Sequence, residues 1–254
     1  MEENFDQQFS KRNLIMELPV LNGMIDRRIL INYRIDPDVV KRFLPEDINP
    51  LVINGFASGG ICLLRLKDIG AKCTPSFLRI NSENAAYRFL VTYRKTGRVT
   101  NGVYIPRRDT DSKLNVLVAG KVFSWPHYPA TFLVVEDGDR YCVDMKSIDG
   151  ESELHVNTQL ADYFPGRSMF SSIDHASDCF RCCSLGVSPS TKPGRLKLIE
   201  LKTKTWNVRP LNVHSLRSSL FDNESLFPKG SLEFDNAMLM QNIEHEWCSE
   251  RFSA

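Results

Sequence analysis

Several groups of side chains in this 254-residue chain carry atoms capable of chemistry. His175, Cys179, Cys182 and Cys183 look at first like a metal set, because on a helix His175, Cys179 and Cys182 or Cys183 would share one face. Zinc sites usually draw ligand pairs from two separate elements, and no second Cys/His pair stands at useful spacing, so no metal and no cofactor is expected. Cys179 and Cys182 also form a C-x-x-C, but without the βαβ surroundings of its redox version. Arg27, Arg28 and Arg34 gather near one apolar stretch. In an extended segment Arg27 and Arg28 point to opposite faces, so only one of them can enter a given cavity. Asp109, Asp111 and Lys113, after Arg107 and Arg108, read as a solvated charged connection. The chain has no Walker loop, no Gly-x-Gly-x-x-Gly, no His-Glu-x-x-His and no Gly-x-Ser-x-Gly.

Composition narrows the classes. Lys plus Arg is 32 and Asp plus Glu is 31, a balance that argues against a nucleic-acid partner. No apolar run approaches the ~20 residues of a membrane span. The polar, acidic start, Met1 to Lys11, lacks the features of a signal peptide. Seven cysteines, an odd number without a paired framework, suit free thiols in a reducing cytoplasm. The sequon Asn223-Glu224-Ser225 is discounted on the same ground.

The elements that must position these groups are mostly short strands. Residues 29–35, 58–66, 85–93, 103–105, 131–135, 140–143, 196–201 and 205–208 are rich in β-branched and aromatic residues. Asn101-Gly102 and Glu136-Asp137-Gly138-Asp139 are turn signals. Helices are expected near 36–44, 110–122, 158–163, 173–183 and 213–221, the first with Asp36 as N-cap and Pro37 at its first position. The expected fold is α+β but mainly β: an antiparallel, β-barrel-like sheet with peripheral helices. Residues 1–24 read as an N-terminal arm and 25–254 as one domain.

Asn32-Tyr33-Arg34-Ile35-Asp36-Pro37, followed by Phe43-Leu44-Pro45-Glu46, resembles the early strand–helix unit of the acetoacetate decarboxylases. Gly120-Lys121-Val122-Phe123-Ser124-Trp125-Pro126-His127-Tyr128 resembles that family's Gly-Arg-Glu, spacer, aromatic-Pro-Lys-Lys motif. With no Lys pair, the pattern is more similar to the DUF2071, or YqjF-like, branch of the superfamily. Trp206-Asn207-Val208-Arg209-Pro210-Leu211, the pair Ser218-Ser219 and the end Ile243-Glu244-His245-Glu246-Trp247 are similar to that branch too.

The resemblance implies a barrel cavity whose Schiff-base lysine and its neighbour are replaced by His127 and Tyr128. Imidazole and phenol form no stable imine, and the nearest amine in sequence is Lys121. The resemblance also implies a carboxylate-binding Arg near Arg27 or Arg28, and an acidic residue in the stretch holding Glu83 and Arg88. Trp125, Trp206 and Trp247 are expected in the core or the pocket wall. The ligand-binding candidates are therefore His127, Tyr128, Arg27, Arg28, Trp125, Arg88 and Glu83. Three functions stay open: a binder of a small organic acid, an oxo acid or another small molecule, in the cavity without Schiff-base catalysis; an enzyme on a carbonyl or oxo-acid substrate with His127 as general acid or base; and a structural or interaction protein with a vestigial cavity. Acetoacetate decarboxylation itself is not expected, and a homo-oligomer stays open.

Overall fold

The computed structural model describes residues 20–95, 97–118, 126–190 and 196–250. It contains one 13-stranded sheet. The strands are β1 (Leu21–Ile35), β2 (Ile48–Pro50), β3 (Val52–Ile53), β4 (Phe56–Ala71), β5 (Ile80–Lys95), β6 (Arg98–Thr110), β7 (Tyr128–Asp137), β8 (Arg140–Ser147), β9 (Glu153–Leu160), β10 (Leu185–Pro189), β11 (Leu196–Thr203), β12 (Arg209–Ser218) and β13 (Leu232–Glu250). The helices are α1 (Pro37–Lys41), α2 (Lys113–Val118) and α3 (Ile173–Cys182).

The sheet closes on itself twice. Five strands, β13-β1-β4-β5-β6, form a common wall. At each end of that wall the edge strand divides its partners. β13 pairs with β12 through residues 237–239 and with β11 through residues 245–250. β6 pairs with β10 at Val103 and Tyr104 and with β7 at Asp109 and Thr110, both in parallel. One ring therefore closes through β10 and β11, the other through β7, β8, β9 and β12.

This double closure explains why the wall strands read as nearly continuous apolar runs. Ile29 and Ile31 face one ring and Leu30 the other, and all three are fully buried. The ring closed by β7–β9 and β12 holds the larger hydrophobic core, with several aromatic rings. Tyr33 stacks on Phe221 at 4.5 Å and Phe43 on Phe227 at 5.0 Å, and Phe221 approaches Phe227 at 5.3 Å. The ring closed by β10 and β11 holds a second core, built with Phe170, Phe180 and Met240. It also holds the cavity described below.

Local chemistry accounts for the agreements and the departures. Asp36 caps α1 by accepting from the Asp38 N–H at 2.9 Å, with Pro37 at the first position. Three expected elements are corrected. Residues 158–163 are not helical, because the in–out alternation of β9 runs on to Leu160. Most of the helix expected at 213–221 is strand β12. A bulge between Val213 and Ser215 puts Leu216 three positions after Val213, a spacing that imitates a helix. Residues 205–208 connect β11 to β12 without pairing. Asn101-Gly102 is not a turn either: both pair with β5, and the chain reverses at Gly97, whose φ is 79°. Gly102 is needed for a different reason, since a Cβ there would lie 2.7 Å from the Leu185 carbonyl oxygen of β10. Residues 1–19 lie outside the described set, and β1 begins at Leu21.

Candidate functional site

The cavity has a volume of about 430 Å³ and lies between the common wall, β10, β11 and α3. Period-two alternation on the wall sets its lining. Cys62, Leu64 and Leu66 of β4 face it, as do Asn84, Ala86 and Arg88 of β5. Trp206 and Trp247 close one side, as expected of them from sequence, and Phe180 of α3 lies opposite the wall. Among the described residues no Asp, Glu or Lys lines it, whereas Arg28, Arg88, Arg108 and Arg181 do. Arg181 is spent on Asp178 at the surface, at 2.6 Å.

Arg88 is the most deeply placed of these cations, 2% exposed. Its Nη2 donates to Asn32 Oδ1, and its guanidinium lies 4.6 Å from the Phe180 ring centroid. Nε and Nη1 have no partner among the described residues. Arg28 donates through Nε to Cys62 Sγ at 3.4 Å and lies 5.7 Å from the Trp206 ring centroid, with Nη1 buried and unpartnered among the described residues. Arg108 donates to Ser188 Oγ at 2.8 Å. Burial lowers both Arg88 and Arg108 to about 10, which leaves both charged at neutral pH.

His127 also lines the cavity, its Nδ1 buried without a partner among the described residues. Burial, and then the charge of Arg108, lower it to about 3, so the ring is neutral at pH 7. Asn84 and Asn115 add amides that both donate to Ser82 Oγ, at 2.9 and 3.2 Å.

The structure separates the candidates named from sequence. Arg28, Arg88 and His127 come together in the cavity; Arg27, Glu83 and Tyr128 do not line it. Arg27 projects from the opposite face of β1, where it is 1% exposed and paired with Glu83 at 2.6 Å and with Glu136. Arg65 bridges the same carboxylates at 2.5 and 2.8 Å, so Glu83 belongs to a structural ion network and not to a solvated strand end. Tyr128 lies under the Arg107 guanidinium at 4.1 Å. Trp125 and Lys121 lie outside the described residues.

The charged connection is corrected as well. Asp109 is fully buried and paired with Arg107 at 2.7 Å, while Arg108 turns into the cavity. Arg108 was hidden from a parity argument, because Val103 and Ile105 share its face. A register shift between Tyr87 and Phe89 puts one extra residue into β6 and reverses the alternation. In the Cys-rich helix, Ser171 N–H donates to His175 Nδ1 at 3.3 Å. A bond from Cys183 holds Cys179 below the ordinary thiol range and, with burial, pushes Cys183 above it. Elsewhere, Cys142, Asp144 and His155 bring their donor atoms within 4.8 Å of one another on the β8–β9 hairpin. His155 is already held there by Asp144 at 2.7 Å and Ser215 at 2.8 Å.

The doubly closed sheet is the acetoacetate decarboxylase-like fold. The acetoacetate decarboxylase of Legionella pneumophila superposes with a TM-score of 0.61 at 12% identity, covering 100% of this chain and 98% of that one. An enduracididine biosynthesis enzyme, MppR, complexed with pyruvate gives 0.58 at 10% identity, covering 100% and 98%. An acetoacetate decarboxylase-like enzyme from Sphingomonas wittichii gives 0.57 at 9% identity, covering 100% of both chains. No curated protein matches the sequence significantly. The DUF2071 family model, described as an uncharacterised conserved protein, matches residues 24–233, and the chain belongs to that family. No helix among the described residues is long and apolar enough to cross a membrane.

Proposed function

We propose that this protein binds a small organic anion, an oxo acid by preference, in the cavity and without forming an imine. The observation that carries the reading is the pair Arg28 and Arg88: among the described residues their buried donors Arg28 Nη1 and Arg88 Nε and Nη1 have no partner, and no carboxylate lines the space. Buried guanidinium donors without partners are costly, and a carboxylate satisfies several at once. The apolar remainder of the lining suits a short carbon chain. Pyruvate in the related MppR structure is consistent with a ligand of this size and charge. His127, neutral at pH 7, suits a hydrogen bond to the ligand better than proton transfer, which works best with a pKa near the working pH. Seven free cysteines fit a reducing compartment, so the proposed setting is the cytoplasm.

Calorimetric titration with pyruvate, 2-oxobutyrate and acetoacetate, each beside its methyl ester, tests the reading. The acids are expected to bind at least about tenfold more tightly than the esters, and Arg28→Gln to remove most of that preference, since a charge-assisted bond contributes ~1.5–3 kcal/mol. Equal binding of acid and ester, or no binding of either, would refute it.

A further inference from the structure

Cys62 stands on the cavity wall where the arginines converge. It lies on β4, between the strands that carry Arg28 and Arg88, and is 5% exposed. Arg28 Nε donates to its sulfur at 3.4 Å. Arg88 and Arg108, after the dominant effect of burial, are both close enough to respond to a charge on it. Arg88 brings two unpartnered donors to the same space. Cys183, the other cysteine lining the cavity, is tied to Cys179.

We infer that Cys62 captures the bound oxo acid covalently and reversibly, as a thiohemiketal. The inference rests on the anion-binding reading of this cavity. With the carboxylate held by Arg28 and Arg88, the adjacent carbonyl carbon lies against Cys62 Sγ. The thiol adds across the carbonyl: an S–C bond forms, the C–O π bond breaks, and the thiol proton passes to the carbonyl oxygen. The product is a tertiary alcohol bearing the sulfur. Nothing is oxidised or reduced, and no group leaves. An imine would instead need a primary amine and the loss of water. The arginines contribute by fixing the carbonyl beside the sulfur and by stabilising negative charge that develops on its oxygen. A thiol at this spot gives the cavity a covalent handle on carbonyl compounds beside the arginines that hold the carboxylate.

Two measurements on the full chain test this. In the first, pyruvate labelled with carbon-13 at the carbonyl is added and followed by NMR. The wild type is expected to show a new tetrahedral-carbon resonance, and Cys62→Ala to lose it while still binding pyruvate by calorimetry. In the second, all cysteines are mapped by mass spectrometry after iodoacetate or iodoacetamide. The iodoacetate-to-iodoacetamide rate ratio at Cys62 is expected to exceed that at exposed Cys73 by about tenfold, the effect of ~1.4 kcal/mol of anion recognition. Arg28→Gln is expected to bring the ratio down to that of Cys73. Pyruvate binding without a tetrahedral carbon, or a resonance that survives in Cys62→Ala, overturns the capture and leaves the binding reading standing. No binding of any oxo acid and no iodoacetate preference overturns both.

Discussion

Arg88 reaches Asn32 across Gly60. The three residues stand in register on β5, β1 and β4: Asn32 opposite Gly60, and Gly60 opposite Arg88. On the far side of β1, Asn32 pairs with Asn236 and donates to its Oδ1 at 2.7 Å. Asn236 in turn donates to Asp235 at 2.5 Å. A row of amides thus links the buried guanidinium to a carboxylate that is itself 5% exposed. Alternate strands lie ~9.6 Å apart, which a long Arg and a short Asn can span only if nothing projects from the strand between them.

Gly60→Ala is therefore expected to be among the most damaging single changes. Its Cβ would lie 2.0 Å from the Ile31 carbonyl oxygen, backbone that cannot rotate away. A loss of more than ~3 kcal/mol is expected in denaturant unfolding, with oxo-acid binding abolished as the Arg88–Asn32 contact breaks. Asn32→Leu isolates the second effect. It should cost ~1–3 kcal/mol by stripping the described partner from a buried charge. A Gly60→Ala protein as stable as wild type would show that β1 and β4 do not approach this closely.

Much of this arrangement was legible in the sequence, and the reasons differ by residue. Opposite faces for Arg27 and Arg28 follow from strand periodicity alone, yet which face holds the cavity does not. That depends on how the sheet closes, through pairings such as Leu201 with Trp247 that join residues distant in the chain. The Arg88 assignment came from family resemblance, and its register with Asn32 needed the fold. Arg108 was lost because register shifts defeat counting by twos. Helix α3 was visible in its 3.6-residue pattern, whereas the bulge in β12 produced the same pattern in a strand.

Stability is expected to fall as the pH drops from 7 towards 4, with His245 a principal cause. The ring is 3% exposed, packs edge-on to Trp247 at 4.3 Å, and neither nitrogen has a side-chain partner among the described residues. Burial lowers it to about 4. The unfolded chain takes up this proton near pH 6.5 and the folded chain only near 4. The unfolded state binds more protons between those values, so stability is full above 6.5 and lost on acidification. The contribution is about 3 kcal/mol at most. His245→Phe keeps the aromatic contact and removes the titration. Urea unfolding at pH 7.5, 6 and 4.5 should show a shallower pH slope in that variant than in wild type. Identical slopes would assign the acid sensitivity to His127 or to the carboxylates.

Borohydride reduction in the presence of acetoacetate is expected to leave no adduct on the chain. In the decarboxylase pattern a Lys pair stands where this sequence has His127 and Tyr128, and no lysine lines the cavity among the described residues. A neutral imidazole can accept or donate a hydrogen bond but cannot become an imine. In that pattern the second lysine acts by repelling the charge on the first. In this cavity Arg88 and Arg108 already supply positive charge, so a single substitution is informative. His127→Lys would place an amine beside Arg108, whose charge, with burial, should lower its pKa. Intact-mass analysis after borohydride should then show one acetoacetate-derived adduct in His127→Lys and none in wild type. An adduct on wild-type Lys121 would place an amine within reach of the ligand and return an imine mechanism to this chain.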